Sequence, residues 1–324
     1  MVLAAFASGF GQFGEVSALG NVARTFGHVA RTGTLSAQVG LSATLLGVGL
    51  AAIRLASLGA LPLTGLADRF GRRRLLLATV SIGLVATVAA AASPGYWWFV
   101  AIFALGRPFL SSTNALSQVS AAEQTSSADR AKAVALVAAG YGVGAGLTAI
   151  IHSLGSSVFG FRGIFALAVV PLAMVPMIAQ WTTETDRFTI AASTEHPVPV
   201  LGPVGSAFRA RLAVVCAMAL AISFVTGPAN TFVFLFAQNV VHLAGTVVAA
   251  MVVGAGVTGL AGLLAGRWLS DHWGRRPTGA LGLVGITVFG TLTYVGSPGA
   301  LVVGYLLGVY AGSLFAPAIG CLVN

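Results

Sequence analysis

Long apolar runs, each about the length of a membrane-spanning helix, divide this chain from end to end. Only 8% of its 324 residues are Asp, Glu, Lys or Arg, whereas 57% are hydrophobic. A water-soluble domain carries about a quarter of its residues as charged side chains, and a soluble fold with so few would expose an apolar exterior. The sequence therefore predicts a polytopic membrane protein and excludes soluble enzymes, nucleic-acid binders and secreted disulfide scaffolds.

Ten candidate transmembrane helices follow from these runs, because a span needs about 20 apolar residues. We number them 1 to 10, and they lie near residues 1–22, 35–63, 74–93, 96–121, 131–154, 162–181, 211–235, 244–268, 277–296 and 299–321. The predicted fold class is an all-α polytopic membrane protein. We expect an N-terminal bundle at 1–181, a cytoplasmic linker at 182–210 and a C-terminal bundle at 211–324, since the linker region combines charges with three prolines.

The basic residues are divided unevenly between the two sides of the predicted bundle. The breaks after even-numbered helices hold twelve Lys and Arg residues, and the breaks after odd-numbered helices hold three. The positive-inside rule then places the N-terminus and the even-numbered breaks in the cytoplasm. We predict a multi-pass protein of the plasma membrane, in which the net charge of +9 reflects its cytoplasmic loops and not a nucleic-acid partner.

A short motif occurs twice, 203 residues apart. It reads Leu66-Ala67-Asp68-Arg69-Phe70-Gly71-Arg72-Arg73 after helix 2 and Leu269-Ser270-Asp271-His272-Trp273-Gly274-Arg275-Arg276 after helix 8. Glycine permits the tight reversal between two helices, and the arginines stay on the cytoplasmic surface. Two copies at matching positions predict a duplicated bundle, whereas a single copy would fit any basic turn.

The chain resembles the major facilitator superfamily of secondary transporters, whose signature between helices 2 and 3 is Gly-x-Leu-Ala-Asp-Arg-x-Gly-Arg-Arg. The resemblance extends to the helix order and the position of the linker. It implies a duplicated six-helix bundle, transport by alternating access, and a central cavity lined by helices 1, 4, 7 and 10. It implies no cofactor, and its partners are a small-molecule substrate, protons as the coupling ion, and the lipid bilayer.

The resemblance also implies a conformational latch at the cytoplasmic turns. In the family, the aspartate of each turn faces the positive dipole end of a helix in the other half, so Asp271 is expected to face helix 5 and Asp68 to face helix 11. A Glu and an Arg after helix 4 resemble another family feature, and Glu123 is expected to pair with Arg72. The predicted latch residues are Asp68, Arg69, Gly71, Arg72, Glu123, Arg130, Asp271, Gly274 and Arg275.

Three charged residues fall inside predicted spans: Glu15 in helix 1, Arg54 in helix 2 and Arg107 in helix 4. At about 1.5 Å per residue, all three lie at a similar depth in the membrane. Each costs about 2.5–3.5 kcal/mol if it faces lipid. We therefore expect them to face one another or a water-filled cavity.

The segments around Glu15 and Arg107 resemble the places where proton-coupled sugar symporters carry a carboxylate in helix 1 and an arginine in helix 4. The resemblance implies that the carboxylate stays ionised next to the arginine and takes a proton when the pair separates in apolar surroundings. Glu15, Arg107 and Arg54 are thus the predicted proton-coupling residues. A static buried pair that fixes the helix register is the alternative interpretation.

Polar residues recur at helical spacing on helices 1, 4 and 7, and polar stripes on apolar helices point into a bundle. The predicted substrate-binding residues are Gln12, Asn114, Gln118, Asn230, Gln238 and Tyr310. For each of them, a hydrogen bond between helices is an alternative to substrate contact. The glycines at 140–146 in helix 5 more simply predict close helix approach.

The leading functional prediction is a secondary active transporter for a small polar organic solute, similar to a sugar or metabolite and coupled to protons. A drug/proton antiporter of the same superfamily is the alternative, although the proline-containing glycine motif typical of its helix 5 is missing from 140–146. A non-transporting membrane sensor or an inactive fragment is the alternative from another class. We predict no enzyme, because no nucleophile motif, phosphate loop or metal-ligand spacing occurs.

The distance of 203 residues between the two motif copies also predicts how many helices the second bundle contains. Shifting by 203 residues maps Asn324 onto Ala121, at the end of helix 4. Compared with the twelve helices of the family, ten are then expected here. The sequence is interpreted as a transporter without its last two helices.

Overall fold

Helices make up most of the computed structural model, which describes residues 1–27, 40–126, 129–184 and 205–320. No strand occurs within those four ranges. Each of the ten predicted helices has a counterpart, labelled α1 to α10 in the same order. The predicted all-α polytopic fold class is confirmed.

The N-terminal six helices follow the chain in predicted order. Their bounds are Val2–Phe26 for α1, Ala43–Ala56 for the first part of α2, Arg72–Ala90 for α3 and Tyr96–Gln124 for α4. The second part of α2 consists of a 3-10 turn, Ser57–Gly59, and two short segments, Ala60–Gly65 and Ala67–Phe70. A helical segment over Arg130–Ala166 is bent at Gly160, whose φ is +57°; α5 precedes this bend, and α6 comprises the remainder together with Val169–Ala173 and Val175–Trp181.

The C-terminal four helices are Ser206–Leu235 for α7, Gly245–His272 for α8, Arg275–Leu292 for α9 and Pro298–Gly320 for α10. A π-helical turn, Phe236–Val240, follows α7. Several predicted ends differ from the observed ones. The described part of α2 begins at Ala43, where the Ser42 hydroxyl accepts a hydrogen bond from the Leu45 amide at 3.1 Å and caps the helix, and α8 continues to His272 through the repeated motif.

Seven helices within the described ranges are long and apolar enough to cross a membrane. They are Val2–Phe26, Ala43–Phe70, Arg72–Ala90, Tyr96–Gln124, Lys132–Gly155, Val158–Trp181 and Gly245–His272. All six N-terminal helices and α8 therefore qualify as spans. The described part of α10 includes a shorter apolar helix, Pro298–Leu314.

The chain divides into two compact units, Met1–Gly202 and Pro203–Asn324. The border falls in the predicted linker at 182–210, of which residues 185–204 lie outside the described ranges. Within the first unit α1 is the central helix, since 78% of its span is buried. It packs directly on α5, because a Cβ atom at Gly144 would overlap the carbonyl oxygen of Phe6.

The two repeated turns share one backbone conformation. Gly71 and Gly274 both have a φ of +94° and both precede the first residue of a helix, α3 and α9 respectively. This left-handed φ is readily adopted only by glycine. The repeat found in the sequence is therefore a repeat of local structure.

Candidate functional site

A buried ion pair joins α1 to α4. The Nη1 atom of Arg107 lies 3.2 Å from Oε2 of Glu15 and donates a second hydrogen bond to the carbonyl oxygen of Gln12 at 3.2 Å. Only 1% of Glu15 and 9% of Arg107 are exposed. Opposite charges inside a span are tolerated when they face each other, and this pair satisfies that condition.

Arg54 of α2, the third residue predicted for proton coupling, has an exposed side chain and interacts electrostatically with Glu15. Contacts on either side of it determine its level along the bundle. Gly49 packs against Val100 of α4, and Gly59 packs against Pro108 of the same helix. Arg54 is midway between Gly49 and Gly59, so its level on α4 is midway between Val100 and Pro108. It is therefore within about one helical turn of Arg107, or roughly 6 Å along the helix axis.

Tyr141 of α5 belongs to the same cluster, and sequence reasoning missed it. It interacts electrostatically with Arg107, Glu15 and Arg54, and its backbone lies against Gly9 of α1. Its place in a glycine-rich segment indicated only close helix approach. No residue-type signal distinguished this tyrosine from an ordinary packing residue.

The predicted polar residues of α1 and α4 make hydrogen bonds within their own helices. The Gln12 amide donates to the Ser8 hydroxyl at 2.8 Å, and only 6% of Gln12 is exposed. On α4, the Gln118 amide donates to the Asn114 side-chain oxygen at 3.3 Å, and both residues are half-buried. Asn114 and Gln118 thus occupy one face of α4, as their spacing predicted, whereas Gln12 is enclosed by the protein.

The C-terminal unit contains a cavity of about 300 Å³ between α7, α9 and α10. Asn230, Thr226 and Tyr305 contribute polar atoms to its wall. Gln238 lies in the π-helical turn after α7, and Tyr310 lies on α10 between the lining residues Val309 and Gly312 without lining the cavity itself. Of the three predicted binding residues in this unit, the cavity includes only Asn230.

The first repeated turn is held by a cluster of ion pairs. Arg72 uses Nη1 to pair with the Glu123 carboxylate at the end of α4 and Nη2 to pair with Asp68 at 3.1 Å. The Arg72 and Glu123 side chains are only 14% and 13% exposed. The pairing expected between Glu123 and Arg72 is therefore present and largely shielded from water, while Arg69 is exposed beside it.

Glu184, just after α6, is a second residue that sequence reasoning missed. Its carboxylate accepts hydrogen bonds from the backbone amides of Arg72 at 2.9 Å and Arg73 at 3.2 Å. The Arg73 guanidinium in turn donates to the carbonyl oxygen of Ala179 at 2.8 Å. A carboxylate at this end of a helix satisfies free amides and complements the helix dipole.

The second repeated turn is more open to solvent. Asp271 and Arg275 are both exposed, and Gly274 supplies the left-handed bend between them. Arg130 begins the helical segment that includes α5, but its side chain lies outside the described residues. The expected approach of Asp271 to α5 stays a prediction.

Comparison with known proteins decides the family. Residues 1–324 match the family model of the Major Facilitator Superfamily. The chain belongs to this superfamily. The ion pair on α1 and α4, the repeated turns and the two units therefore lie within a Major Facilitator Superfamily protein.

Relatives of this superfamily member include one curated protein and several solved structures. It is 29% identical over 143 residues to svop-1 of Caenorhabditis elegans, whose name describes a transporter; the match covers 44% of this chain and 27% of svop-1. The inward-open xylose transporter XylE from E. coli is 20% identical, with a TM-score of 0.71 over 99% of this chain and 80% of XylE. The nucleoside transporter NupG, solved as a point mutant, is 14% identical, with a TM-score of 0.70 over 98% of this chain and 80% of NupG.

Proposed function

We propose that this superfamily member carries a small polar organic solute, of sugar or metabolite type, together with protons by alternating access. The buried ion pair between Glu15 and Arg107 carries the proposal. An ionisable side chain inside a span is costly and by default indicates a functional residue, and Glu15 is only 1% exposed. The names of two similar structures, a xylose transporter and a nucleoside transporter, support a polar organic solute.

The proposed coupling follows from the electrostatics of this pair. Next to Arg107, the Glu15 carboxylate is stabilised in its ionised form. When a conformational change separates the two, the carboxylate is left in apolar surroundings and takes a proton. Protonation then favours one conformer over the other, and return of the proton on the opposite side resets the cycle. Arg54 acts as a second cation that attracts the ionised Glu15.

We propose that polar side chains of the chain bind the solute. The contributing residues are Gln12, Asn114, Gln118, Asn230, Gln238 and Tyr310. Among these, Asn114, Gln118 and Asn230 are supported best, because they are half-buried on one face of α4 or line the α7–α9–α10 cavity. Gln12 contributes mainly through its backbone carbonyl oxygen, which accepts a hydrogen bond from Arg107 and positions that side chain.

The repeated turns are proposed to act as the cytoplasmic latch of the transport cycle, on the side of the plasma membrane that holds the N-terminus. The pair between Arg72 and Glu123 closes the first turn onto α4. The second turn, with Asp271, Gly274 and Arg275, is proposed to belong to the same latch. Replacing Arg72 by Ala should slow solute exchange while leaving solute binding intact, because the latch stabilises one conformer and contacts no solute.

The coupling is tested in proteoliposomes with an imposed proton gradient. The substitution Glu15→Gln keeps the shape of the side chain but removes its titration. We expect this variant to retain solute exchange at equal concentrations and to lose uphill accumulation. Asp129→Asn is the matched control, because Asp129 is an exposed acid bonded to Lys132 on the surface, and it should accumulate solute like the wild type.

Two results would contradict the proposal. Undiminished proton-driven accumulation by the Glu15→Gln variant would reduce the ion pair to a static brace of the helix register. Extrusion of cationic drugs without any solute uptake would instead identify a drug/proton antiporter. Vesicles with the gradient imposed in either direction separate these outcomes.

A further inference from the structure

A basic cavity of about 610 Å³ lies at the end of the first unit that holds the first repeated turn. Its wall combines the end of α2, the first turn of α3 and the end of α6, and includes Arg69, Phe70, Arg73, Arg74, Gln180 and Glu184. Three of these residues are arginines and one is an acid. The volume falls within the range of about 300–1,000 Å³ that is common for small-molecule sites. The cavity is therefore large enough for a polar ligand, and its charge favours an anion.

The acidic residues at this end of the unit are bound to Arg72, which does not line the cavity. Asp68 and Glu123 pair with its guanidinium, and the Glu184 carboxylate accepts a hydrogen bond from its backbone amide at 2.9 Å. The arginines in the cavity wall are the ones on either side of it in the sequence: Arg69, Arg73 and Arg74. The wall is therefore basic even though three acids lie close to it.

Hydrogen bonds between helix ends hold the wall in place. The Arg73 guanidinium donates through Nη2 to the carbonyl oxygen of Ala179 at 2.8 Å, which ties α3 to α6 and uses one of its five N–H donors. The Gln124 amide at the end of α4 donates to the carbonyl oxygen of Thr183 at 3.2 Å, and Thr182 is buried. A wall that is already formed lowers the cost of ordering side chains when a ligand binds.

The cavity lies at the level where three membrane-spanning helices end. The spans Ala43–Phe70 and Val158–Trp181 end at this level, and the span Arg72–Ala90 begins there. Residues at the ends of spans lie at the height of the lipid headgroups. Trp181 is 71% exposed, and tryptophan is enriched at that height. A ligand of this cavity therefore meets both the arginines and the surface of the membrane.

We propose that the cavity binds the phosphate-bearing headgroup of an anionic phospholipid. Guanidinium groups bind phosphate oxygens through paired N–H donors, and basic pockets between spans are typical sites for such headgroups. Phe70 in the wall is 61% exposed and offers an apolar contact for the beginning of the acyl chains. A free phosphate ion could use the same arginines but would gain nothing from Phe70 or from the position at the span ends.

A headgroup in this cavity would connect three helices of the first unit. Arg69 belongs to α2, Arg73 and Arg74 belong to α3, and Gln180 belongs to α6. A ligand that binds only the folded protein raises its stability, so the lipid should raise the unfolding temperature. The proposed topology places this end in the cytoplasm, and the cytoplasmic leaflet carries anionic lipids. Binding itself depends neither on that orientation nor on the transported solute.

The test measures lipid binding to the full chain in a neutral detergent by native mass spectrometry. The probes are dioleoylphosphatidylglycerol, which is anionic, and dioleoylphosphatidylcholine, which has the same acyl chains and no net charge. We expect the phosphatidylglycerol to bind at least about tenfold more tightly and to raise the unfolding temperature. Arg74→Gln should weaken its binding about fivefold, and the double variant with Arg73→Gln should weaken it at least about tenfold.

Two further variants separate the cavity from a general attraction between arginines and lipid. Arg276→Gln removes an exposed arginine from the matching position of the second repeated turn and should bind the phosphatidylglycerol like the wild type. Arg74→Lys keeps the charge and should retain most of the binding. Because Arg74 is exposed, Arg74→Gln should fold like the wild type even where loss of the bond from Arg73 to Ala179 destabilises the double variant. Thermal unfolding without lipid checks this.

Inorganic phosphate at matched ionic strength distinguishes the lipid headgroup from a soluble anion. At millimolar concentration it should neither raise the unfolding temperature nor displace the phosphatidylglycerol. Displacement or equal stabilisation by inorganic phosphate would assign the cavity to a soluble anion and overturn the lipid. Equal binding of the phosphatidylcholine, unchanged phosphatidylglycerol binding in Arg74→Gln, or an equal loss in Arg276→Gln would also overturn the proposed site.

Discussion

The Glu184 carboxylate accepts a hydrogen bond from the Arg72 backbone amide at 2.9 Å, across 112 residues of sequence. It therefore ties the residues that follow α6 to the first turn of α3. The same Arg72 holds Glu123 and Asp68 with its guanidinium. Backbone and side chain of one residue thus connect three parts of the chain at the same end of the first unit.

Replacing Glu184 by Ala should lower the stability of the first unit, because it removes the acceptor that caps α3. Loss of such a cap costs about 0.5–2 kcal/mol. Glu184→Gln keeps an acceptor oxygen and loses only the favourable interaction with the helix dipole, so a smaller loss of about 0.3–1 kcal/mol is expected. Thermal unfolding of the purified variants measures both, and equal losses would show that the hydrogen bonds contribute nothing beyond the charge.

The contact between α1 and α5 predicts a sharp difference between two neighbouring glycines. A Cβ atom at Gly144 would overlap the carbonyl oxygen of Phe6, whereas at Gly142 nothing lies within 4 Å. Gly144→Ala should therefore cost about 1–3 kcal/mol through forced separation of the helices. Gly142→Ala should be neutral or stabilising, since alanine is favoured over glycine in a helix. Similar unfolding temperatures for the two variants would contradict this packing.

The buried pair predicts non-additive stability effects at Glu15 and Arg107. Arg107→Leu removes the cation that contacts the buried Glu15 carboxylate and should cost about 3–5 kcal/mol. Adding Glu15→Leu removes that charge too, so the double variant should regain much of the lost stability while transport stays abolished. Unfolding of the two single variants and the double variant completes the cycle. Additive losses would show that the two side chains do not interact in the folded protein.

Some parts of this site were predictable from residue type alone. Glu15 and Arg107 had to find partners because charges are costly inside a span, and Glu15 is the one acidic residue among the three charges predicted at that depth. The left-handed turns followed from glycine at matching positions of the two motifs. These predictions depend on rules that act on single residues or short segments.

Other parts required the three-dimensional arrangement. Tyr141 reaches the charged cluster because α5 packs against α1 in one particular register, which no local pattern determines. Glu184 caps α3 because the chain after α6 returns to the start of α3. The enclosure of Gln12 depends on the rotation of α1 about its axis, and its helical spacing is equally compatible with a residue facing solute.

The polar ring of His152 in α5 is buried without a hydrogen bond among the described residues, and this predicts how its replacement affects stability. Only 1% of it is exposed, and neither ring nitrogen has a hydrogen-bond partner among the described residues. His152→Leu fills a similar volume without the polar atoms, so stability should stay equal or rise by about 1 kcal/mol. Thr148→Val, one turn earlier, removes a buried hydrogen bond to the carbonyl oxygen of Phe10 at 3.0 Å and should instead lose about 1 kcal/mol. If unfolding temperatures fall equally in both, His152 has a polar partner in the membrane-embedded protein, and its ring nitrogens then belong among the groups to be tested for transport.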